Sequence, residues 1–373
     1  MEEKEKRILV YGASGKLYGG IESFLMNMNE HMSKSCVFDY VFVGDDCIHR
    51  QRIAARGGRV YAVTSYRKNP IRFLLDSWKV ASLARKDHDT AYFNLFSMCH
   101  ITAVLMSVLF KYRIVLHAHN NNIPNKSKLY HGLHRFCRWL LSAMDCVRLT
   151  NSESSAVFMF GKKTVQKKKI TLIYNAIDVQ AFRFSPQVRK SIREELQLEG
   201  SFVVGFAGRL STQKNPVFLM DLFSCIHQKN PNAVFLVAGD GEYRSYLEER
   251  AKKQGFWDCM RLVGRREDMP ALYWAMDCFV LPSLFEGLGI VLVEAQAAGL
   301  CCFASAHVIP SMVQCSKESL YFLSLDAPVE NWAEEILKQA TVHRDREAWN
   351  DVVQASPFQI EKEAKKLERR LRS

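Results

Sequence analysis

Two carboxylates with seven residues between them mark Leu281-Pro282-Ser283-Leu284-Phe285-Glu286-Gly287-Leu288-Gly289-Ile290-Val291-Leu292-Val293-Glu294-Ala295 as a place for chemistry. Glu286 falls in a Gly-rich loop, whereas Glu294 falls inside the following apolar helix, between Val293 and Ala295. A carboxylate so placed is costly unless it meets hydrogen-bond donors, and sugar and ribose hydroxyls are such donors. The alternative is a carboxylate that caps a neighbouring loop. Upstream, Phe206 to Pro216 leaves a strand-like run and enters a helix at Pro216, with Arg209 and Lys214 bracketing the loop. The pair could clamp a diphosphate, arginine as a fork and lysine as a point charge, or be two exposed surface cations.

Two further segments belong with these. Tyr11-Gly12-Ala13-Ser14-Gly15-Lys16-Leu17-Tyr18-Gly19-Gly20 is a Gly-rich loop opening a helix, where backbone can approach a phosphate or sugar closely. It lacks the Ser or Thr after Gly-Lys of a Walker A loop and the spacing of a dinucleotide fingerprint. His117-Ala118-His119-Asn120 ends a strand-like run. We favour His119 over His117 as a site residue because an Asn-rich loop follows it, and we place His117 on the opposite strand face. Asp87-His88-Asp89 imitates a cation-binding Asp-x-Asp but precedes a strand, so it reads as a polar turn.

The elements that must position these residues alternate between strand and helix. Apolar runs at Ile8–Tyr11, Tyr40–Val43, Val60–Val63, Ala91–Phe93, Ile114–His117, Cys146–Leu149 and Ile170–Tyr174 are separated by segments of helical length. After a polar stretch from Arg183 to Gly200 the pattern restarts, with runs at Phe202–Phe206, Val234–Ala238, Met260–Val263, Cys278–Leu281 and Cys301–Ala304. The prediction is an α/β protein of two Rossmann-like, doubly wound domains, residues 1–180 and 181–355, joined near Asp178–Ser185 and followed by a helix over 356–373. Ligands of such sheets bind beyond the carboxyl ends of the strands, and a cleft between the domains is the expected site.

Composition sets the remaining bounds. The 373 residues carry 51 Lys+Arg against 39 Asp+Glu, a net +12, with 48% hydrophobic residues, which excludes a disordered chain or a small disulfide scaffold. The eleven cysteines include no Cys-x-x-Cys and lie largely in apolar runs, so they read as reduced packing residues. The Met1–Arg7 segment has no apolar signal core, and Ile101–Phe110 is too short to span a bilayer, so a cytoplasmic protein is expected. The charge permits nucleic acid, an anionic membrane or phosphorylated substrates as partners. No basic stripe interleaved with aromatics supports nucleic acid. Lysines crowd Lys162–Lys169, and Ile360, Ala364, Leu367 and Leu371 make one apolar stripe on a charged helix, which could dock on a domain or touch a membrane.

Gly19-Gly20-Ile21-Glu22, the Arg209/Lys214 pair, Gly239-Asp240-Gly241 and the Glu286/Glu294 segment, in this order, resemble the retaining glycosyltransferases of family 4, which have the GT-B fold. His117–Asn120, Phe160-Gly161, Asn175–Asp178 and Tyr321–Leu325 add similarity to capsular and exopolysaccharide transferases. Cys301, where Gly-Leu-Pro is usual, and His307, where an acidic residue is common, depart from the pattern.

The resemblance implies a hexosyltransferase moving sugar from a UDP-sugar to a lipid-linked or growing bacterial surface glycan, in capsule, exopolysaccharide or O-antigen synthesis. Arg209 and Lys214 would hold the donor diphosphate, Glu286 the sugar hydroxyls and Glu294 the ribose. Gly19 and Gly20 would admit the diphosphate, and His119 would lie near the reacting sugar. Gly239, Gly264, Arg265 and the Gly287-Leu288-Gly289-Ile290 turn complete the expected donor site. No metal and no cofactor beyond the donor is expected, since cations and helix N-termini can neutralise the leaving group. The C-terminal helix, 356–373, would cross back onto the first domain, and an anionic inner-membrane surface is the further expected partner, met by that helix and the Lys162–Lys169 cluster. A nicotinamide-dependent oxidoreductase, or a donor-binding subunit without activity, is the alternative.

Overall fold

The computed structural model describes residues 5–13, 20–44, 47–66, 68–98, 101–121, 127–340, 342 and 345–373. They form two compact units: one runs to Ala176 and takes in Ile360–Ser373, the other is Ile177–Gln359.

The first unit holds strands β1 (Lys6–Ala13), β2 (Cys36–Val43), β3 (Val60–Val63), β4 (His88–Leu95), β5 (Arg113–Ala118), β6 (Val147–Thr150) and β7 (Ile170–Leu172). All pair in parallel, in the order β3-β2-β1-β4-β5-β6-β7. Parallel strands buried on both faces need continuous apolar runs, which is what Ile8-Leu9-Val10 and Ile114-Val115-Leu116 supply. One apolar cluster gathers the Gly20–His31 helix, and a second gathers the Pro70–Ala84, Ile101–Leu109, Lys128–Ser142 and Glu153–Phe160 helices. The C-terminal helix Ile360–Arg372 buries its whole apolar stripe (Ile360, Ala364, Leu367, Leu371) in the first cluster. Arg113 donates to the Leu371 carbonyl at 3.0 Å.

Beneath the amino ends of these strands lies a buried ion cluster. Asp39 accepts from Arg7 Nη2 at 2.6 Å, Arg7 Nε at 2.8 Å and His88 Nε2 at 2.7 Å. Asp87 pairs with Arg59 and Asp89 with Lys6, both at 2.6 Å, so the Asp-x-Asp imitation spreads over separate partners. Only Asp87 of the three lies in the turn, His88 and Asp89 being the first residues of β4. Burial alone would raise the Asp39 pKa, but hydrogen bonds from His88, Arg7 and the Arg59 N–H outweigh it and the net shift is downward. The stabilisation is therefore complete above the ordinary carboxylate range near pH 4 and is lost as pH falls through the lower folded-state pKa. Asp39→Asn, which leaves Arg7 only the exposed Glu5 and the Gly57 carbonyl among these partners, should cost about 3 kcal/mol in urea unfolding at pH 7, and less at acid pH. An equal loss at both would mean the carboxylate charge is not what stabilises.

The second unit holds β8 (Phe202–Ala207), β9 (Ala233–Ala238), β10 (Met260–Gly264), β11 (Cys278–Leu281), β12 (Cys301–Ser305) and β13 (Leu320–Leu323), parallel in the order β10-β9-β8-β11-β12-β13. Cys278 and Cys302 are buried thiols within its strands. The stretch Asp178–Ser185, expected as a linker, belongs to this unit. Val179 and Phe182 are buried in a 3-10 turn, and Asn350 Nδ2 and Trp274 Nε1 donate to their carbonyls at 2.8 and 3.0 Å. The polar run beyond it forms the Pro186–Glu195 helix, capped by Ser185. Its Arg189 pairs with Asp277 at 2.6 Å and its Arg193 donates to the Ala275 carbonyl at 2.8 Å, so charged side chains anchor it.

Candidate active site

The sheet order places the topological switch point of the second unit between β8 and β11, where chain direction across the sheet reverses and ligands characteristically sit. The loops leaving these two strands are those that carry Lys214 and Glu286. Lys214 lies in the Thr212–Lys214 turn that ends the β8 loop, before the Pro216–Lys229 helix. Glu286 lies in the β11 loop, before the Ile290–Ala297 helix. Lys214 Nζ makes an ion pair with Glu286 Oε1, and Ser283 Oγ donates to the same oxygen at 2.8 Å. The two side chains are only 13% and 7% exposed, so the charges offset each other in a largely desolvated place. The loops are also tied through backbone, with the Leu284 N–H donating to the Gln213 carbonyl at 2.8 Å and Gln213 Nε2 to the Phe285 carbonyl at 3.1 Å.

Neighbouring loops brace this arrangement. The Gly208 N–H donates to the Ala238 carbonyl at 2.9 Å, Leu210 N–H to Asp240 at 3.0 Å and Gly239 N–H to Gly264 at 2.7 Å. Gly239 and Gly264 thus belong to the frame of the β8 loop. Arg209 and Arg265 are exposed, and Arg209 approaches Glu242 at 3.5 Å rather than joining Lys214. Gly287 is exposed, whereas Leu288 and Gly289 are buried ahead of Ile290, the first residue of its helix. Two cationic or dipolar features here suit an anion: Lys214, and the amino ends of the Pro216–Lys229 and Ile290–Ala297 helices.

Glu294 accepts from Tyr273 Oη at 2.8 Å. Burial raises its pKa, opposed by that hydrogen bond. The donor its apolar setting demands is thus supplied in part by the Met269–Ala275 helix.

In the first unit the switch point lies between β1 and β4. Gly12 (φ +105°) leaves β1 so close to β4 that a Cβ there would lie 2.1 Å from the Asn94 carbonyl oxygen. His119 follows β5, and its Nε2 contacts Asn94 Oδ1 at 2.8 Å. Asn94 Nδ2 donates to the Tyr11 carbonyl at 3.2 Å, which leaves Oδ1 to accept and His119 Nε2 to carry the proton. Burial drives the His119 pKa down to about 3, so the ring is neutral at physiological pH. His117 does not point to the opposite face. Its ring centroid is 4.0 Å from that of His119, as two residues apart on a strand requires. It is fully buried, with Nδ1 2.6 Å from Tyr92 Oη. Gly20 opens its helix with no atom within 4 Å of where a Cβ would stand; Gly19 lies outside the described residues.

Three polar partners were not anticipated: Ser283, Tyr273 and Asn94. Ser283 lies three residues before Glu286, but the helix starts only at Ile290, so the Ser-x-x-Glu spacing is not a helix cap and did not signal the contact. Tyr273 and Asn94 reach Glu294 and His119 from elements 21 and 25 residues away, with no local signal.

Residues 188–350 match the family described as "Glycosyl transferases group 1". EpsF of Bacillus subtilis (strain 168), which is named as a glycosyltransferase, is 29% identical over 359 residues, 93% of this chain and 91% of that protein. An Escherichia coli UDP-Gal:alpha-D-GlcNAc-diphosphoundecaprenol alpha-1,3-galactosyltransferase is 36% identical over 152 residues, 38% of each chain. The solved structure of Anabaena HepE in complex with UDP-glucose superposes with a TM-score of 0.76 at 20% identity, covering 98% of this chain and 99% of that one.

Proposed function

We propose that this chain, which has the GT-B fold and a Glycosyl transferases group 1 domain over residues 188–350, is a retaining, family 4 glycosyltransferase that moves a hexose from a UDP-sugar to a lipid-linked or growing surface polysaccharide. The observation that carries this reading is the Lys214–Glu286–Ser283 constellation at the switch point of the second sheet. A diphosphate entering there competes for Lys214, and a sugar donating hydroxyls to Glu286 replaces the cation that the carboxylate gives up. Stabilisation grows as charge collects on the departing phosphate, which is where binding accelerates a reaction. Arg209, exposed in the same loop, is able to swing onto the second phosphate.

Glu294 accepts from the ribose beside Tyr273, Gly264 and Arg265 border the base, and neutral His119 offers the Nδ1 lone pair to a sugar hydroxyl. With the acceptor hydroxyl attacking from the face of the departing phosphate, that phosphate takes the proton, and neither a protein base nor a metal is needed. The UDP-Gal in the E. coli relative's name and the UDP-glucose bound in the HepE structure support the choice of nucleotide.

A thermal-shift screen against UDP, GDP, ADP and their sugar conjugates tests this. UDP and UDP-sugars should raise the melting temperature by several degrees at saturating ligand, as one-site linkage requires. A shift by a nicotinamide cofactor and by no nucleotide would overturn it in favour of an oxidoreductase.

A further inference from the structure

We propose that the outer face of the Lys128–Ser142 helix is a docking surface for an anionic lipid bilayer. Leu129, Leu133, Phe136 and Leu140 follow one another at spacings of four, three and four, the repeat of a single line along a helix. All four are exposed, Leu129 at 84%, and Trp139 beside them is 68% exposed. The adjacent side of the same helix, about 100° round, meets the needs of the fold: Cys137 and Leu141 enter the second apolar cluster, and His134 Nδ1 accepts from the Met98 N–H at 3.3 Å. The apolar surface of the helix is therefore wider than the second apolar cluster covers, and the Leu129–Leu140 row is left outside it. Scattered exposed apolar residues are ordinary, but a continuous stripe with two aromatics is a surface built for contact.

Charge identifies the occupant. From Thr90 to Met144 the sequence contains no aspartate or glutamate. Lys128 and Arg135 are exposed on the same helix. Arg138 donates to the Phe158 carbonyl at 3.0 Å, and its guanidinium side chain lies 3.4 Å from the Cβ position of Gly161. Gly161 opens the Lys162–Lys167 helix, so exposed Lys162, Lys163 and Lys167 continue the cationic border. A partner apolar in depth and anionic at its surface matches both features, with Trp139 and Phe136 at the headgroup level. Fifteen residues lie in the plane of such an interface and do not cross it. A second copy packed on this stripe would oppose Lys128 and Arg135 to like charges, with no carboxylate on the helix itself to pair them. The C-terminal helix, whose apolar stripe is buried, does not offer this surface. The inference rests on the lipid-linked acceptor reading for its purpose, since docking brings the enzyme to where such an acceptor resides.

Co-sedimentation of the full chain with vesicles of phosphatidylcholine, with and without phosphatidylglycerol, tests it. The wild type should bind the anionic vesicles about tenfold better, with the preference falling as salt rises. Leu133→Gln/Phe136→Gln/Trp139→Gln should lose about tenfold of that binding, Trp139→Gln alone a few-fold, and Lys128→Gln/Arg135→Gln should flatten the salt dependence. Each should keep the wild-type melting temperature and UDP-induced shift. Equal binding to neutral and anionic vesicles, or a Trp139→Gln chain that binds as wild type, overturns the proposal. So does a wild-type dimer in sedimentation velocity that the triple variant renders monomeric, which gives the face to a second copy. Vesicle binding without any UDP shift would overturn the donor reading and support the docking surface by itself.

Discussion

Lys214→Ala is expected to lower kcat/KM by about 10²–10³-fold while leaving the melting temperature of the free protein within a few degrees of wild type. The reasoning starts from the ion pair. Lys214 and Glu286 are held together on adjacent loops at the switch point, each largely buried, and Glu286 keeps only Ser283 at 2.8 Å when the lysine is removed. A largely buried carboxylate without its cation is left uncompensated, so the alanine variant loses both the phosphate contact and the partner that holds Glu286 in place for a sugar hydroxyl. Losses at the two positions should therefore not add. Lys214→Ala/Glu286→Gln should be little slower than Lys214→Ala alone, because the two groups act as one unit. Lys214→Arg should remain impaired, since a fork does not reproduce a compact ammonium in a space bounded by the β8 and β11 loops. Steady-state rates with a UDP-sugar donor decide the matter. A near-normal rate for Lys214→Ala would remove the residue from the reaction.

What the chain reveals without coordinates depends on whether the signal is local. Ile8–Tyr11 and Ile114–His117 announce themselves because strands buried on both faces must be apolar throughout. Gly-rich exits from strands are equally visible, and they led to both loops of the candidate site. The Pro186–Glu195 helix escaped notice because its anchors are Arg189 and Arg193, whose charges look solvated until Asp277 and the Ala275 carbonyl are seen beneath them. β13 (Leu320–Leu323) shows in the sequence only as part of a late apolar run, although it is as long as the recognised strand Cys278–Leu281. Which residues of the site touch is a long-range property. Lys214 meets Glu286 across 72 positions, and Arg209, only five residues from Lys214, does not join them. His117 was misplaced for a different reason: the period of two along a strand puts it on the same face as His119, and that rule was available from the outset.

Gly239→Ala should do more damage than any other single methyl added to the second unit. Gly239 follows β9 at φ +136°, where an L side chain is strained, and its Cβ would lie 1.9 Å from the carbonyl oxygen of Gly208. That oxygen is backbone, so no side chain can swing aside, and the clash forces the β8 and β9 exits apart. The hydrogen bonds at risk are those from Gly208 to Ala238, from Leu210 to Asp240 and from Gly239 to Gly264. Together, strain and lost bonds should cost the unit about 3 kcal/mol or more, visible as a fall in the melting transition. Where the unit still folds, the β8 loop must shift by an ångström or so, enough to move Lys214 off Glu286 and reduce turnover about 10²-fold. Gly287→Ala is the contrast, because no atom lies within 4 Å of its Cβ position, and its melting temperature should match the wild type. If Gly239→Ala also melts like the wild type, the two exits relax freely, and the close approach of β8 and β9 is not what holds the lysine loop in place.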